Sequence, residues 1–196
     1  MATLQKRLES VSQLLTSFHS ASVDLEAATN VLLETFTRGG KVLVCGNGGS
    51  AAEAQHFSAE FVNSFVKGSA RPSLPVLSLT CDSSILTSIS NDYAFDEVFA
   101  KQVRAYGLPG DLLIAFTTSG DSINCVNAVQ TAQEMGISSI AFTRSNAKIS
   151  RYAEVSIKVP STNTQLIQEC HLIALHYLVE QIELHYNSNF KESPVA

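Results

Sequence analysis

The sequence predicts a doubly wound α/β domain on a five-stranded parallel sheet flanked by helices, with a helical extension at its N-terminus. Two observations carry that expectation. Five short apolar runs, at 41–45, 74–79, 111–116, 138–143 and 154–159, alternate with stretches of helical periodicity. Runs that are apolar on both faces belong to parallel strands covered by helices on each side.

Taken in order, Leu4, Leu8, Val11, Leu15 and Phe18 recur at helical spacing, and Leu25, Ala28, Val31, Leu32 and Phe36 do so again. Arg38-Gly39-Gly40 then stops the second helix. Residues 1–40 are therefore read as an extension used in oligomer packing, and residues 41–190 as one structural unit. Within that unit, helices are expected at 51–66, 84–89, 95–106, 122–135 and 164–186, with Gly107 and Gly136 as terminators. The longest connection is 67–73, and the polar tail from residue 187 is expected to fray. A chain of 196 residues that is 45% hydrophobic has enough apolar surface for one domain with a sizeable core.

The formal charge of −5 argues against nucleic acid or an anionic membrane as direct partner. Any anion must be held by local features. The four cysteines, Cys45, Cys81, Cys125 and Cys170, follow no metal or redox spacing and read as reduced residues, which suits a cytoplasmic protein. The first ten residues contain no apolar core of a signal, and no run approaches the ~18 apolar residues of a membrane span.

In a doubly wound sheet, ligands bind beyond the carboxyl ends of the strands. Gly46-Asn47-Gly48-Gly49-Ser50 follows the first strand and opens a helix, so backbone N–H groups can approach an anion there. Thr117, Thr118, Ser119 and Ser122 surround Gly120 after the third strand, again just before a helix. Hydroxyls and helix N-termini can hold a phosphate monoester without lysine or arginine. The glycine run also fits the dinucleotide pattern Gly46-x-Gly48-x-x-Ala51. The acidic residue required about 20 positions later is missing, because Asp82 comes too late. A third candidate segment is Ser90-Asn91-Asp92.

His56 and Glu60 stand at i, i+4 on the helix after the glycine loop. Such a pair is often only a solvated helical contact, but this one follows a candidate phosphate loop and can supply an acid, a base or metal ligands. On the last helix Gln168, His171 and His176 interrupt an apolar stripe formed with Leu172, Leu175 and Val179. His171 is read as a core histidine satisfied by a backbone carbonyl. His19 and His185 read as surface residues.

Four segments, CGNGGSAAEAQHFSAEF at 45–61, SNDYAFDEVF at 90–99, TTSGDS at 117–122 and IQECHLIALH at 167–176, resemble those of the phosphoheptose isomerases of the sugar isomerase (SIS) domain group. The likeness runs over nearly the whole chain. It implies that Asn47, Gly48, Gly49, Ser50, Asn91 and Asp92 contact substrate and that Thr117, Thr118, Ser119 and Ser122 hold its phosphate. It further implies one Zn²⁺ per subunit on His56, Glu60, Gln168 and His176, with Glu60 and Gln168 also touching substrate. Glu60 and His176 would be the catalytic acid/base residues. The implied reaction converts sedoheptulose 7-phosphate to D-glycero-D-manno-heptose 7-phosphate through an enediol, the first step toward ADP-heptose and lipopolysaccharide core precursors. A homotetramer with sites at subunit contacts is implied as well.

Proton transfer between C1 and C2 needs one base within reach of both carbons, for which Glu60 is the choice. A glutamate held tightly by Zn²⁺ is a poor base, so Glu60 binds weakly, exchanges roles, or leaves the metal a structural part. Departures from the family pattern are Ser64 in place of a common arginine, Gln165 in place of an aspartate, and a 144–147 segment without the usual glycine-rich turn. AKQVRAYG at 100–107 and RPSLP at 71–75 resemble a non-catalytic SIS-domain protein that associates with a replication initiator. That leaves a binding or sugar-phosphate-sensing module as the alternative. Retention of Glu60 and His176 favours the enzyme.

Overall fold

The computed structural model describes residues 3–69 and 71–190. In chain order the elements are α1 (Leu4–Phe18), α2 (Ser22–Thr37), β1 (Val42–Gly46), α3 (Gly49–Val62), β2 (Val76–Ser78), α4 (Ser83–Asp92), α5 (Val98–Tyr106), β3 (Leu112–Phe116), α6 (Ile123–Glu134), β4 (Ser138–Arg144), β5 (Val155–Val159) and α7 (Thr164–Phe190). Short 3-10 turns join α1 to α2, precede α5 and link β4 to β5.

The five strands form one parallel sheet in the order β2-β1-β3-β4-β5. Alternation along each strand sorts its side chains between two cores. Val42, Val44, Ile114 and Phe116 join Leu32 of α2, Phe57 and Phe61 of α3 and Leu175 and Leu178 of α7. On the opposite face Leu43, Cys45, Leu113 and Ala115 join Val103 of α5 and Val126 and Val129 of α6. Within residues 3–40 the two helices are buried to different extents. Ala28, Leu32 and Phe36 of α2 are buried in the first core, whereas α1 buries only Phe18 and leaves Leu4 and Leu8 exposed.

Among the element ends that differ from the sequence expectation, two have a reason in the packing. α3 stops at Val62 rather than continuing to residue 66. Arg71 takes the carbonyls of Glu60 and Phe61 at 2.5 and 2.8 Å, while the N–H groups of Phe65 and Val66 turn to the Glu183 carboxylate. A cation on the last carbonyls also suits the negative end of the helix dipole. β2 is an edge strand of three residues, shorter than the expected 74–79, because Pro75 has no donor for the ladder and the Leu74 N–H goes to the Phe61 carbonyl at 3.1 Å. At the C-terminus α7 continues through residue 190, past the expected frayed end, and residues 191–196 lie outside the described ones.

The chain runs from β1 outward to β2, then returns past β1 to β3. Connections therefore diverge at the carboxyl ends of β1 and β3, where Gly46 is paired with Phe116. That crevice is where this strand order places ligands.

Candidate active site

The glycine loop and the hydroxyl loop meet in the crevice. A cavity of about 230 Å³ is lined by Asn47, Gly49, Ser50, Phe116, Thr117, Thr118, Ser122, Thr164 and Gln168. Three helices begin at its wall: α3 with Gly49 and Ser50, α6 just after Ser122, and α7 with Thr164. Neither Gly48 nor Ser122 caps its helix with a side chain, and in the first turn of α6 the Cys125 N–H donates to Asn124 Oδ1 at 2.9 Å. Converging helix N-termini give a positive potential without a lysine or arginine in the lining.

Local hydrogen bonds set the loops. Asn47 and Asn124 exchange amide hydrogen bonds at 2.8 Å in each direction. Asn124 is buried, 77 residues from its partner, and it fixes the glycine loop against α6. The Thr117 hydroxyl accepts from the Gly120 N–H at 3.1 Å, and Arg144 donates to the Ser119 carbonyl at 2.9 Å while pairing with Asp121 at 3.0 Å. Gly120 sits at φ +68°, where a Cβ would collide with Ala147 and Thr143. At Gly49 a Cβ would meet the Gln168 amide, so glycine leaves room for that side chain to lie against the loop.

A second cluster lies further along α3 and α7. His56 Nε2 is 2.8 Å from Glu60 Oε1 and 3.5 Å from His176 Nε2. One ligand atom from each of the three residues lies within 4.8 Å of the others. The side chains of His56 and Glu60 are 39% and 21% exposed, so the cluster is open to solvent on one side. Two imidazole nitrogens facing each other beside a carboxylate can share at most one proton between them, whereas a cation satisfies all three lone pairs. Ligands around 2.0–2.2 Å from a tetrahedral Zn²⁺ stand about 3.3 Å apart, which the observed nitrogen spacing approaches. Two histidines and a carboxylate with an open side thus fit zinc.

Behind this cluster Arg71 and Glu183 form a buried ion pair at 2.8 Å, with side chains 1% and 3% exposed. Burial pushes the Glu183 carboxyl up, but the Val66 N–H, Arg71, the Phe65 N–H and Ser69 together hold it below the ordinary carboxylate value. Through Arg71 this pair also holds the Glu60 carbonyl.

Sequence-predicted residues separate into three groups. Asn47, Gly49, Ser50, Thr117, Thr118, Ser122 and Gln168 line the cavity, and His56, Glu60 and His176 form the second cluster. Gly48 and Ser119 belong to the same two loops without lining the cavity. Gln168 is eight residues, or about 12 Å along the helix axis, from His176 and stands on the cavity side. Asn91 and Asp92 are not part of the lining; they are exposed at the end of α4, where the Asn91 amide donates to Asp92 at 2.8 Å. His171 is fully buried, but no backbone carbonyl satisfies it: neither ring nitrogen has a hydrogen-bond partner, and its Nδ1 is 3.8 Å from Glu53. Phe116 and Phe142 flank its ring. Cys45, Cys125 and Cys170 are buried thiols, whereas Cys81 is exposed. Donation of the Cys45 thiol proton to the Cys125 sulfur, together with burial, raises the Cys45 thiol, and burial raises Cys170 to about 11. Among the described residues no helix is long and apolar enough to cross a membrane.

Comparison with known proteins identifies the family. The SIS domain family model matches residues 8–144. The phosphoheptose isomerase of Chromohalobacter salexigens is 46% identical over 163 residues, covering 81% of this chain and 82% of that protein. That of Synechocystis sp. is 41% identical over 181 residues, covering 92% and 91%. Among solved structures, a phosphoheptose isomerase from Francisella tularensis superposes with a TM-score of 0.88 at 36% identity, covering 94% of this chain and 100% of that one. The Neisseria gonorrhoeae phosphoheptose isomerase gives 0.81 at 38% identity, covering 93% and 100%. The chain belongs to the SIS domain family and, within it, to the phosphoheptose isomerases.

Proposed function

We propose that this protein interconverts sedoheptulose 7-phosphate and D-glycero-D-manno-heptose 7-phosphate through an enediol, supplying an aldoheptose phosphate for ADP-heptose synthesis. The observation that carries this reading is the convergence of His56, Glu60 and His176 within 4.8 Å, on the same two helices whose N-terminal turns line the phosphate-sized cavity. His56 is six residues, about 9 Å, beyond Ser50 along α3. A seven-carbon sugar bearing its phosphate at one end and its carbonyl at the other spans such a distance.

In this mechanism the N-termini of α3 and α6, with Thr117, Thr118 and Ser122, hold the phosphate and orient the chain of the sugar. Glu60 removes the proton from C1 of the ketose and returns it at C2, with reversal for the opposite direction. His176 moves protons between the two sugar oxygens as carbonyl and hydroxyl exchange places. His56, Glu60 and His176 would hold Zn²⁺, which when bound supplies charge stabilisation for the developing oxyanion. Gln168, the fourth ligand expected from the sequence, meets the substrate from the cavity side.

The same reading includes a cytoplasmic homotetramer with sites at subunit contacts. Leu4, Leu8, Leu172 and Ile173 are exposed on α1 and α7, an apolar surface suited to a second copy. Subunit contacts are also the arrangement that would bring Asn91 and Asp92 of one copy to a neighbour's substrate. Incubation with sedoheptulose 7-phosphate, followed by NMR, should show aldoheptose 7-phosphate accumulating. No turnover with or without added Zn²⁺ would sink the isomerase reading.

A further inference from the structure

The helices α3 and α7 touch at a series of points that advance in the same direction along both. Gly49 meets Gln168 at the cavity, and His56 meets His176 at the histidine cluster. Beyond the end of α3, the N–H groups of Phe65 and Val66 meet Glu183 at 3.1 and 2.9 Å. Between the cavity and the cluster lies one more contact, Glu53 against His171, which neither site uses.

That contact is chemically incomplete. The Glu53 side chain is 10% exposed and that of His171 is 0% exposed, and their nearest atoms, Oε2 and Nδ1, stand 3.8 Å apart. Glu53 Oε2 and both nitrogens of His171 lack any hydrogen-bond partner. Phe116 and Phe142 lie 6.1 and 5.7 Å from the imidazole, centre to centre, and Phe116 itself lines the cavity. Glu53 also borders a cavity that it shares with Arg7, Gln165, Gln168 and Glu169, whereas the imidazole is enclosed with neither nitrogen paired, which is strongly unfavourable. A hydrogen bond from Nδ1–H to Oε2 would pair those two atoms, and it needs them to approach by about 1 Å.

Taking the isomerase reading of the site as given, we propose that Glu53 and His171 are its positioning pair: their hydrogen bond sets the spacing of α3 and α7 and thereby couples the phosphate cavity to the His56–Glu60–His176 cluster. Neither residue touches the reacting atoms. Each acts through its neighbours one turn away: Gly49 and His56 on α3, Gln168 and the Phe116 wall on the other side. Two sites on one pair of helices whose separation both depend on must influence each other reciprocally.

The test uses the full chain with Glu53→Leu, His171→Leu, the double variant, and Glu53→Gln. Each single leucine strands a buried polar partner and should lower both stability and kcat. Replacing both removes both orphaned groups, so the double variant should regain thermal stability. Its kcat should stay at least ~10-fold below wild type, because nothing then fixes the helix spacing. Glu53→Gln keeps an acceptor oxygen and should recover most of the lost kcat. A double variant with wild-type kcat would reduce the pair to ordinary packing and overturn the proposal. A readout independent of turnover is the effect of Zn²⁺ on affinity for glycerol 3-phosphate, measured by calorimetry. Zn²⁺ should change that affinity by about 5-fold or more in the wild type and leave it unchanged in the double variant. Equal effects in both proteins, or none in the wild type, would also overturn it. Coupling that the double variant loses, in a wild type that fails to isomerise the heptulose phosphate, would keep the pair and reject the isomerase reading.

Discussion

The two ends of the α3/α7 seam do different work with different materials. The cavity end is built from backbone N–H groups, small residues and hydroxyls, and it has no lysine or arginine in its lining. The cluster end is built from ionisable side chains that meet across two helices. The first suits a group whose charge stays constant through a reaction, such as a phosphate; the second suits a centre where protons move. Fixed dipoles hold without competing for protons, and titratable groups exchange them.

The largest way to sharpen that contrast is Glu60→Gln, which should lower kcat by roughly 10²–10⁴-fold as expected for loss of a general base. Steady-state kinetics with sedoheptulose 7-phosphate would show it, and activity near wild type would move the base elsewhere. Arg71→Met should destabilise the fold by about 3–5 kcal/mol, since it leaves the buried Glu183 carboxylate without its cation. Urea unfolding measures this, and a loss below about 1 kcal/mol would mean that the backbone donors suffice alone. Smaller, and at the other end, Ser122→Ala should raise KM by about 10-fold with kcat nearly unchanged, because one donor to a charged ligand is lost. A fall in kcat without a change in KM would break the division between the ends. Smallest is the effect of acid. The folded-state pKa of Glu183 lies below its ordinary value of 4.5, so its contribution is fully present above that value. It is lost as pH falls from there through the folded pKa. Thermal unfolding across that window should lose its Glu183-dependent slope in Glu183→Gln.

The same contrast explains what the sequence made legible. Gly46–Ser50 and Thr117–Ser122 are local signals, since each loop carries its own turn chemistry next to a helix start. His56 and Glu60 are legible as a pair because helical spacing alone brings them together. Their meeting with His176 came only with the family likeness, because 120 residues separate His176 from His56. Asn124 was missed although it locks Asn47, since nothing local marks an asparagine in a first helical turn as the partner of one 77 residues away. Two other omissions had a readable signal. Glu53 shares the buried face of α3 with Ser50, Ala54, Phe57 and Phe61, and Glu183 sits beside Val179 and Ile182 on that of α7. A carboxylate on an apolar stripe needs a partner; Glu183 finds Arg71, 112 residues away, and Glu53 stands 3.8 Å from His171.

The most direct test of the separation between binding and chemistry is calorimetric titration of glycerol 3-phosphate into Glu60→Gln with a chelator present. Affinity within about 2-fold of the similarly treated wild type is the expected result, since the cavity end is intact. Loss of binding would contradict it, because the residue assigned to proton transfer would then be holding the phosphate as well.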